Sequence, residues 1–255
     1  MRRLSAVAVV VVLSVLVAAH AHARPLVGGR PTSVDQYPHA VSVRLNGSHM
    51  CGGSLIHERF VVTAAHCLVP IRASFNSVQV VSGTSLLSSG GTSHRIARLH
   101  VHPQYNPFTS ERANFDIGLL ELARPVVFSV RQRAISPPVN AVHHGEGVAV
   151  VAWGTSGHRQ PVHADLRKVD ASAMSATLCQ QYHRGVMNIH RTEFCTLVAV
   201  GVGTCHGDSG SGVVRASDRT LVGVVSGGVP CAKGYPDVYT AVFEFMPWIR
   251  SIVPV

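Results

Sequence analysis

Three separated segments of the chain carry side chains that could together perform nucleophilic catalysis. Residues 63–67 read Thr-Ala-Ala-His-Cys, residues 114–120 read Asn-Phe-Asp-Ile-Gly-Leu-Leu, and residues 207–210 read Gly-Asp-Ser-Gly. They present His66, Asp116 and Ser209 in one of the known chain orders of a Ser-His-Asp triad. One such segment alone is weak evidence, but the three in this order predict a shared site.

The chemistry of these residue types fits that prediction. A serine hydroxyl is a poor nucleophile at neutral pH unless a neighbouring base accepts its proton. Histidine suits this task because its pKa is close to physiological pH, and a buried carboxylate can hold the imidazole in one tautomer. The chain has 16 histidines, so a typical one is a surface residue, and His66 is distinguished by its Ala-Ala-His-Cys context.

Asp116 and Ser209 also have ordinary interpretations. Asp116 could simply cap a turn, but the apolar residues from Ile117 to Leu120 suggest that it is buried. A buried aspartate without a partner is costly. Ser209 could be a loop serine, but glycine at 207 and 210 lets the backbone turn tightly and approach a ligand. Jointly, these features favour the catalytic interpretation.

Short strands separated by turn residues must position these side chains. Apolar and polar residues alternate from Val41 to Leu45, which is typical of a half-buried strand. One helix is predicted near the C-terminus, because Pro247 suits a first helical turn and Trp248 shares a face with Ile252. The other strand candidates, each bounded by turn residues, are 60–62, 78–80, 147–153 and 221–226.

The first 23 residues have the layout of a secretory signal peptide. Two arginines precede an apolar run over 4–19, and small residues alternate at 21–23. A membrane anchor is the alternative, but the run is short for a span. We therefore expect a secreted, extracellular product that has no membrane attachment in its mature form.

Charge and cysteine content narrow the class further. Loss of residues 1–25 removes three arginines and lowers the net charge from +9 to +6 (19 basic minus 13 acidic residues). No aromatic-basic motif accompanies this charge, so we expect no nucleic-acid partner. Six cysteines behind an export signal predict three disulfides, for which fifteen pairings are possible. No short-spaced cysteine pairs indicate a metal site.

Together these segments resemble the chymotrypsin/trypsin family of serine endopeptidases, over about residues 26–252. The segment 231–239, Cys-Ala-Lys-Gly-Tyr-Pro-Asp-Val-Tyr, is similar to insect chymotrypsin-like proteases. The resemblance implies an all-β fold of two six-stranded antiparallel β-barrels with the site between them. It also implies these boundaries: barrel 1 at about 26–130, barrel 2 at about 131–245 and a C-terminal helix at about 246–253.

The resemblance assigns roles to the three side chains. Ser209 is the nucleophile, His66 the general base and acid, and Asp116 the carboxylate that orients the imidazole. The backbone N–H groups of Gly207 and Ser209 form the oxyanion hole. We therefore expect a serine endopeptidase that works through an acyl-enzyme and needs no cofactor. The alternatives are a non-catalytic binding homologue of the same fold and a secreted basic binding protein.

The family pattern also selects one set of disulfides. The implied pairs are Cys51–Cys67, Cys179–Cys195 and Cys205–Cys231.

Activation in the family depends on a new N-terminus, which here would be Leu26. Its α-ammonium group is expected to pair with Asp208. The preceding dipeptide 24–25, Arg-Pro, departs from the family pattern, because proline disfavours a tryptic cut after the arginine. We expect signal cleavage after Ala23 and removal of this short propeptide by a dipeptidase; a longer propeptide is the alternative.

Two positions at the floor of the specificity pocket differ from trypsin. Gly203 stands where trypsin-like enzymes have aspartate, and Asp237 stands where glycine is common. A carboxylate there favours a cationic substrate side chain. Alternatively it is hydrogen-bonded or protonated and leaves a preference for large apolar residues. The resemblance of 231–239 favours apolar residues, with acceptance of basic ones.

Several neighbouring residues are expected to contact substrate. Gly227 replaces the usual tryptophan, which should open the side of the pocket, and Ser211 replaces a usual glycine. His206 is expected at the pocket entrance, and simple solvent exposure is its alternative interpretation. Including Gly203 and Asp237, the expected contacts are Gly203, Thr204, His206, Ser226, Gly227, Gly228 and Asp237.

The expected partners follow from this assignment. We expect polypeptide substrates, protein protease inhibitors as further partners, and a monomeric enzyme. No acidic residue lies between Glu58 and Glu111, where some relatives carry a calcium loop. Calcium needs oxygen ligands, so we expect no metal there.

Overall fold

The computed structural model describes residues 25–108 and 114–254. The predicted signal peptide over 1–23 and Arg24 of the predicted propeptide lie outside these residues. The described chain begins with a single turn at Pro25–Gly28 (α1) and a short strand at Arg30–Pro31 (β1). None of the helices in the described ranges has the length and apolar character needed to cross a bilayer.

Six antiparallel strands then close into a first barrel. Apolar residues at alternate positions of these strands point inward, and Val41, Val43 and Leu119 have no exposed surface. The six strands are Ala40–Leu45 (β2), Ser48–His57 (β3), Phe60–Thr63 (β4), Val78–Ser82 (β5), Thr92–Val101 (β6) and Gly118–Leu122 (β7). They pair in the closed order β2-β3-β4-β7-β6-β5.

A second six-stranded barrel follows the connection over residues 123–146. Its strands are Gly147–Ala152 (β8), Arg167–Met174 (β9), Glu193–Thr196 (β10), Gly212–Arg215 (β11), Leu221–Gly227 (β12) and Asp237–Ala241 (β13). They pair in the order β8-β9-β10-β13-β12-β11, and β11 pairs back onto β8 to close the barrel. Strand β1 adds to the outside of β9. The expected fold of two antiparallel six-stranded barrels is confirmed.

The helices are few and short. They are Ala65–Leu68 (α2), Ala176–Tyr182 (α3) and Met246–Arg250 (α4), with 3-10 helices at Val69–Ser77 and Val242–Phe245. Pro247 occupies the first turn of α4, as predicted. The helix ends at Arg250, whereas the expected boundary is about 253, and the N–H groups of Ser251 and Val253 still donate to carbonyls of α4.

One apolar cluster extends across both barrels. Val61 and Leu120 of the first barrel belong to it together with Val151 and Val224 of the second. Complete burial of side chains of this size contributes about 1.5–3 kcal/mol each. The shared core therefore holds the facing sides of the two barrels, and the loops between them, in one fixed arrangement.

Candidate active site

His66 and Asp116 are brought together at the edge of the first barrel. Strand β4 ends at Thr63 and leads directly into α2, which places His66 in the first helical turn. The Nδ1–H of His66 donates to Asp116 Oδ2 at 2.7 Å, and the backbone N–H of His66 donates to Asp116 Oδ1 at 2.8 Å. This pairing fixes the orientation of the ring and leaves Nε2 on its opposite side.

The second barrel completes the hydrogen bonds of Asp116. Ser226 Oγ of β12 donates to Asp116 Oδ2 at 2.6 Å, and Thr240 Oγ1 of β13 donates to the Asp116 carbonyl at 2.9 Å. Asp116 is 2% exposed, and its carboxylate accepts three hydrogen bonds. Burial of this charge is therefore compensated. Neither hydroxyl contact was predicted from the sequence, where Ser226 was expected to bind substrate.

Backbone contacts place Ser209 beside the turn that carries His66. The Gly52 N–H donates to the Ser209 carbonyl at 2.8 Å, and the next residue, Gly210, donates to Val225 O at 2.8 Å. A Cβ on Gly210 would lie 2.1 Å from Thr63 Oγ1, and its φ is +78°. Only glycine fits this close approach, which brings the serine loop against the residues that precede His66.

The loop between Cys205 and Ser209 is held from two sides. The Thr155 N–H donates to His206 O at 2.8 Å, and His49 Nε2–H donates to Gly207 O at 3.0 Å. Burial lowers the pKa of His49 to about 4, so the ring is neutral at pH 7 and its Nδ1 accepts from Ser42 Oγ at 2.9 Å. His49 positions the Gly207 peptide. No motif surrounds His49 in the sequence, so this contact was not predicted.

Asp208 belongs to this loop, and its side chain is fully buried. Its carboxylate accepts hydrogen bonds from the N–H groups of Gly154 (2.7 Å) and Cys205 (2.8 Å). Among the described residues no cation forms an ion pair with it, and burial raises its pKa to about 8. Leu26 is also fully buried and packs against Ala152, two residues before Gly154. The predicted new terminus and Asp208 therefore lie in the same region.

A cleft of about 370 Å³ opens beside the His66–Asp116 pair. It brings together three of the predicted contact residues, Ser226, Gly227 and Gly228, while Gly203, Thr204, His206 and Asp237 are outside its described lining. A Cβ on Gly227 would meet no atom within 4 Å, so this side of the cleft is open. The remaining described lining residues are Val69, Pro70, Tyr105, Pro107 and Met187.

Comparison with known proteins identifies the family. Residues 26–249 match the trypsin family. The chain belongs to the trypsin family. It is 35% identical over 226 residues to trypsin beta of Drosophila erecta, covering 88% of this chain and 87% of that protein. It is 34% identical over 227 residues to chymotrypsin-2 of Vespa crabro, covering 89% of this chain and 99% of that protein.

In this trypsin-family chain the carboxylate of Asp237 is bound by its neighbours. Its Oδ2 accepts from the Thr204 N–H at 2.8 Å and its Oδ1 accepts from Thr204 Oγ1 at 2.7 Å. A Cβ on Gly203 would lie 2.4 Å from Oδ2, so glycine there makes room for the carboxylate. Burial raises the pKa of Asp237 to about 6. Thr204, which was expected to contact substrate, is buried and supplies both of these hydrogen bonds.

The unusual Ser211 of this family member is accommodated at the junction of the barrels. It is 2% exposed, and a Cβ on Gly52 would lie only 1.9 Å from its Oγ. The Ser211 hydroxyl has no hydrogen-bond partner among the described residues. The extra side chain thus fits because Gly52 of β3 provides the space.

Three disulfides brace this trypsin-family site. The structure contains the pairs implied by the resemblance: Cys51–Cys67, Cys179–Cys195 and Cys205–Cys231. The first joins β3 to the residue after His66, and the third joins the serine loop to the segment 231–239.

Proposed function

We propose that this trypsin-family chain is a secreted serine endopeptidase that cleaves peptide bonds through an acyl-enzyme on Ser209. The observation that carries the proposal is the 2.7 Å hydrogen bond from His66 Nδ1 to the buried Asp116 carboxylate. It selects the tautomer in which Nε2 is free of its own proton and can act as a base.

In the proposed reaction, His66 Nε2 takes the Ser209 Oγ proton as Oγ attacks the substrate carbonyl carbon. The oxyanion receives hydrogen bonds from the N–H groups of Gly207 and Ser209. Protonated His66 then gives the proton to the leaving amine, and water repeats the sequence on the acyl group. The His49 contact to Gly207 O supports this proposal because it fixes the peptide next to the proposed oxyanion donor.

Activation is proposed to require a free α-amino group at Leu26. The support is the complete burial of Leu26 and of Asp208, whose carboxylate lacks a cation among the described residues. An ammonium group there would pair with the carboxylate and stabilise the serine loop. We propose removal of 1–23 as a signal peptide and of 24–25 by a dipeptidase. N-terminal sequencing of secreted protein should return Leu26 first; Pro25 first, or a long retained prosegment, would refute this route.

We further propose cleavage after large apolar residues, with acceptance of basic ones. Asp237 supports both parts of this preference. Thr204 donates hydrogen bonds to Asp237, so an apolar substrate residue leaves the carboxyl group satisfied. Asp237 can also ionise and then attract a basic substrate residue. Peptides that differ only at the residue before the cut test the preference. Exclusive cleavage after Arg and Lys would overturn it. Protein inhibitors that present a substrate-like loop are proposed partners, and the enzyme is proposed to act as a monomer.

The decisive test is labelling with a fluorophosphonate, which reacts with an activated serine. We expect stoichiometric labelling of processed protein, and none of the Ser209→Ala variant, whose peptidase activity should fall about 10⁶-fold. Ser211→Ala is the matched control because it removes a nearby serine hydroxyl outside the proposed triad. Absence of labelling in correctly processed, folded protein would favour the non-catalytic binding homologue.

A further inference from the structure

We propose that His158 and His206 form a binding site for a divalent transition-metal ion, with Zn²⁺ as the test ion, at the loop that carries Ser209. Binding there would inhibit the enzyme. The inhibition rests on the proposed peptidase function, whereas the metal site itself does not.

The two imidazoles have the separation that a shared ion requires. Their ring centroids lie 5.7 Å apart, and one ligand nitrogen of each lies within 4.8 Å of the other. Zn–N bonds of 2.0–2.1 Å in tetrahedral geometry place two ring centroids about 5 Å apart. Rotation of two exposed side chains is therefore sufficient to close the site.

The third group of this cluster is Cys231, whose Sγ lies within the same 4.8 Å but is bonded to Cys205. A disulfide sulfur cannot supply a thiolate, so the site has two protein ligands. Imidazole nitrogens suit Zn²⁺, Ni²⁺ and Cu²⁺, whereas Mg²⁺ and Ca²⁺ prefer oxygen. Water would fill the remaining positions, and the site would discriminate between these two groups of ions.

The backbones that carry the two histidines are already fixed relative to each other. His158 lies in a hairpin closed by the Thr155–Val162 bridge, and the Thr155 N–H donates to His206 O at 2.8 Å. Within the described ranges, neither imidazole forms a hydrogen bond or an ion pair with a side chain. An ion would thus find both ligands positioned without rearrangement of the chain.

Inhibition follows from the position of His206 in the chain. His206 directly precedes Gly207, the proposed oxyanion donor, and its loop is tied by Cys205–Cys231 to the segment that contains Asp237. A hydrated ion on His206 would stand beside the path of the substrate carbonyl. We therefore expect the ion to lower kcat/KM for peptide substrates.

Isothermal titration of the processed protein with ZnCl₂ tests the binding. We expect one ion per chain, slowed hydrolysis of a peptide substrate, and full recovery with a chelator, while MgCl₂ has no effect. Loss of a group that merely supports a metal ligand costs about 10- to 100-fold in affinity, so His158→Ala should weaken Zn²⁺ binding at least as much. The same variant should keep its metal-free kcat/KM and lose the inhibition.

Two controls make the result specific. The double variant His143→Ala/His144→Ala removes an exposed histidine pair elsewhere and should bind Zn²⁺ and be inhibited like the parent. Ser209→Ala protein should bind Zn²⁺ unchanged, which separates the metal site from the peptidase proposal. Parental Zn²⁺ affinity in His158→Ala would overturn the site, and Zn²⁺ bound there without slowed hydrolysis would overturn the inhibition.

Discussion

The buried acids associated with the two barrels differ in their hydrogen-bond partners and in their pKa values. In the first barrel, Asp116 accepts a hydrogen bond from an imidazole, a hydroxyl and a backbone amide. In the second, burial raises the pKa of Glu193 and of Asp208 to about 8 and that of Asp237 to about 6. No basic side chain in the described ranges forms an ion pair with any of these three. The Asp116 carboxylate thus has its hydrogen bonds complete, with the hydroxyl supplied by the second barrel, whereas the three second-barrel acids have no basic side-chain partner in the described ranges.

Glu193 is a buried acid of the second barrel that lies close to the Asp116 contact. It lies in β10 opposite Thr240, the residue that donates to the Asp116 carbonyl, and one of its oxygens accepts the His190 N–H at 2.6 Å. Its other oxygen is buried without a partner in the described chain. The negative charge of Asp116 also contributes to the raised pKa of Glu193, after burial. The second barrel therefore keeps a neutral acid on the side that faces the Asp116 contact.

The largest effect expected from this comparison tests the complete set of hydrogen bonds on Asp116. Asp116→Asn should lower kcat about 10⁴-fold, because an amide cannot hold His66 in the tautomer with a free Nε2. Steady-state kinetics on processed protein measures this, and KM should change little. A Ser226→Ala variant is the matched comparison, since it removes one hydrogen bond to the same carboxylate and should cost far less. Equal losses in the two variants would contradict the assigned roles.

A second prediction concerns the Leu26 ammonium group that is proposed to pair with Asp208. In processed protein, Asp208→Asn should lower kcat/KM by about 100-fold or more, since breaking a buried ion pair costs about 3–5 kcal/mol. Kinetics of the variant and parent after identical N-terminal processing gives this ratio. Retention of parental activity would show that the Leu26 ammonium does not pair with Asp208.

The unprocessed protein should respond to pH through the same group. The folded-state pKa of Asp208 is raised to about 8, so the folded chain holds a proton that the unfolded chain has released. Its stability should therefore fall between about pH 4 and 8, by about 1.4 kcal/mol per pH unit from this group. Denaturant unfolding at several pH values gives the free energy of unfolding as a function of pH. Its decrease per pH unit should be smaller by that amount in Asp208→Asn, and an unchanged decrease would argue against a protonated Asp208.

A smaller effect tests the junction of the barrels. Gly52→Ala should destabilise the protein by about 1–3 kcal/mol, because its Cβ would lie 1.9 Å from Ser211 Oγ. Adding Ser211→Gly should recover part of this loss, while contact with the backbone of residue 211 remains. Urea unfolding of the single and double variants measures the coupling. Strict additivity would show that the two residues do not share this space.

The smallest effect sharpens the role of Asp237. Because burial raises its pKa to about 6, it is mostly neutral at pH 5 and mostly charged at pH 7. The ratio of kcat/KM for a lysine peptide to that for its leucine counterpart should rise about tenfold across this interval. Any effect of pH on the bond-breaking step is common to both peptides and cancels from the ratio. Asp237→Asn should abolish the change, and a pH-independent parental ratio would contradict it.

Short motifs around His66 and Asp116 predicted their pairing, and the two barrels were implied by the family resemblance that these motifs carry. The contacts that complete the site had no such signal. Ser226 and Thr240 reach Asp116 across 110 and 124 positions, and His49 reaches Gly207 across 158. These distances are bridged only by strand pairing and by the packing of one barrel on the other. Side chains that recognise a backbone carbonyl also require no particular residue type at the other end.

The dual attachment of Asp116 has a consequence for the order in which the chain becomes active. Strand β7 and α2 belong to the first barrel and can form with it. The hydroxyls of Ser226 and Thr240, which donate to Asp116, lie in β12 and β13 and are synthesised late. A chain in which only the first barrel has formed would have His66 and Asp116 but not these two hydrogen bonds to Asp116. Under the proposed function, peptidase activity would then appear only after both barrels have formed and packed together.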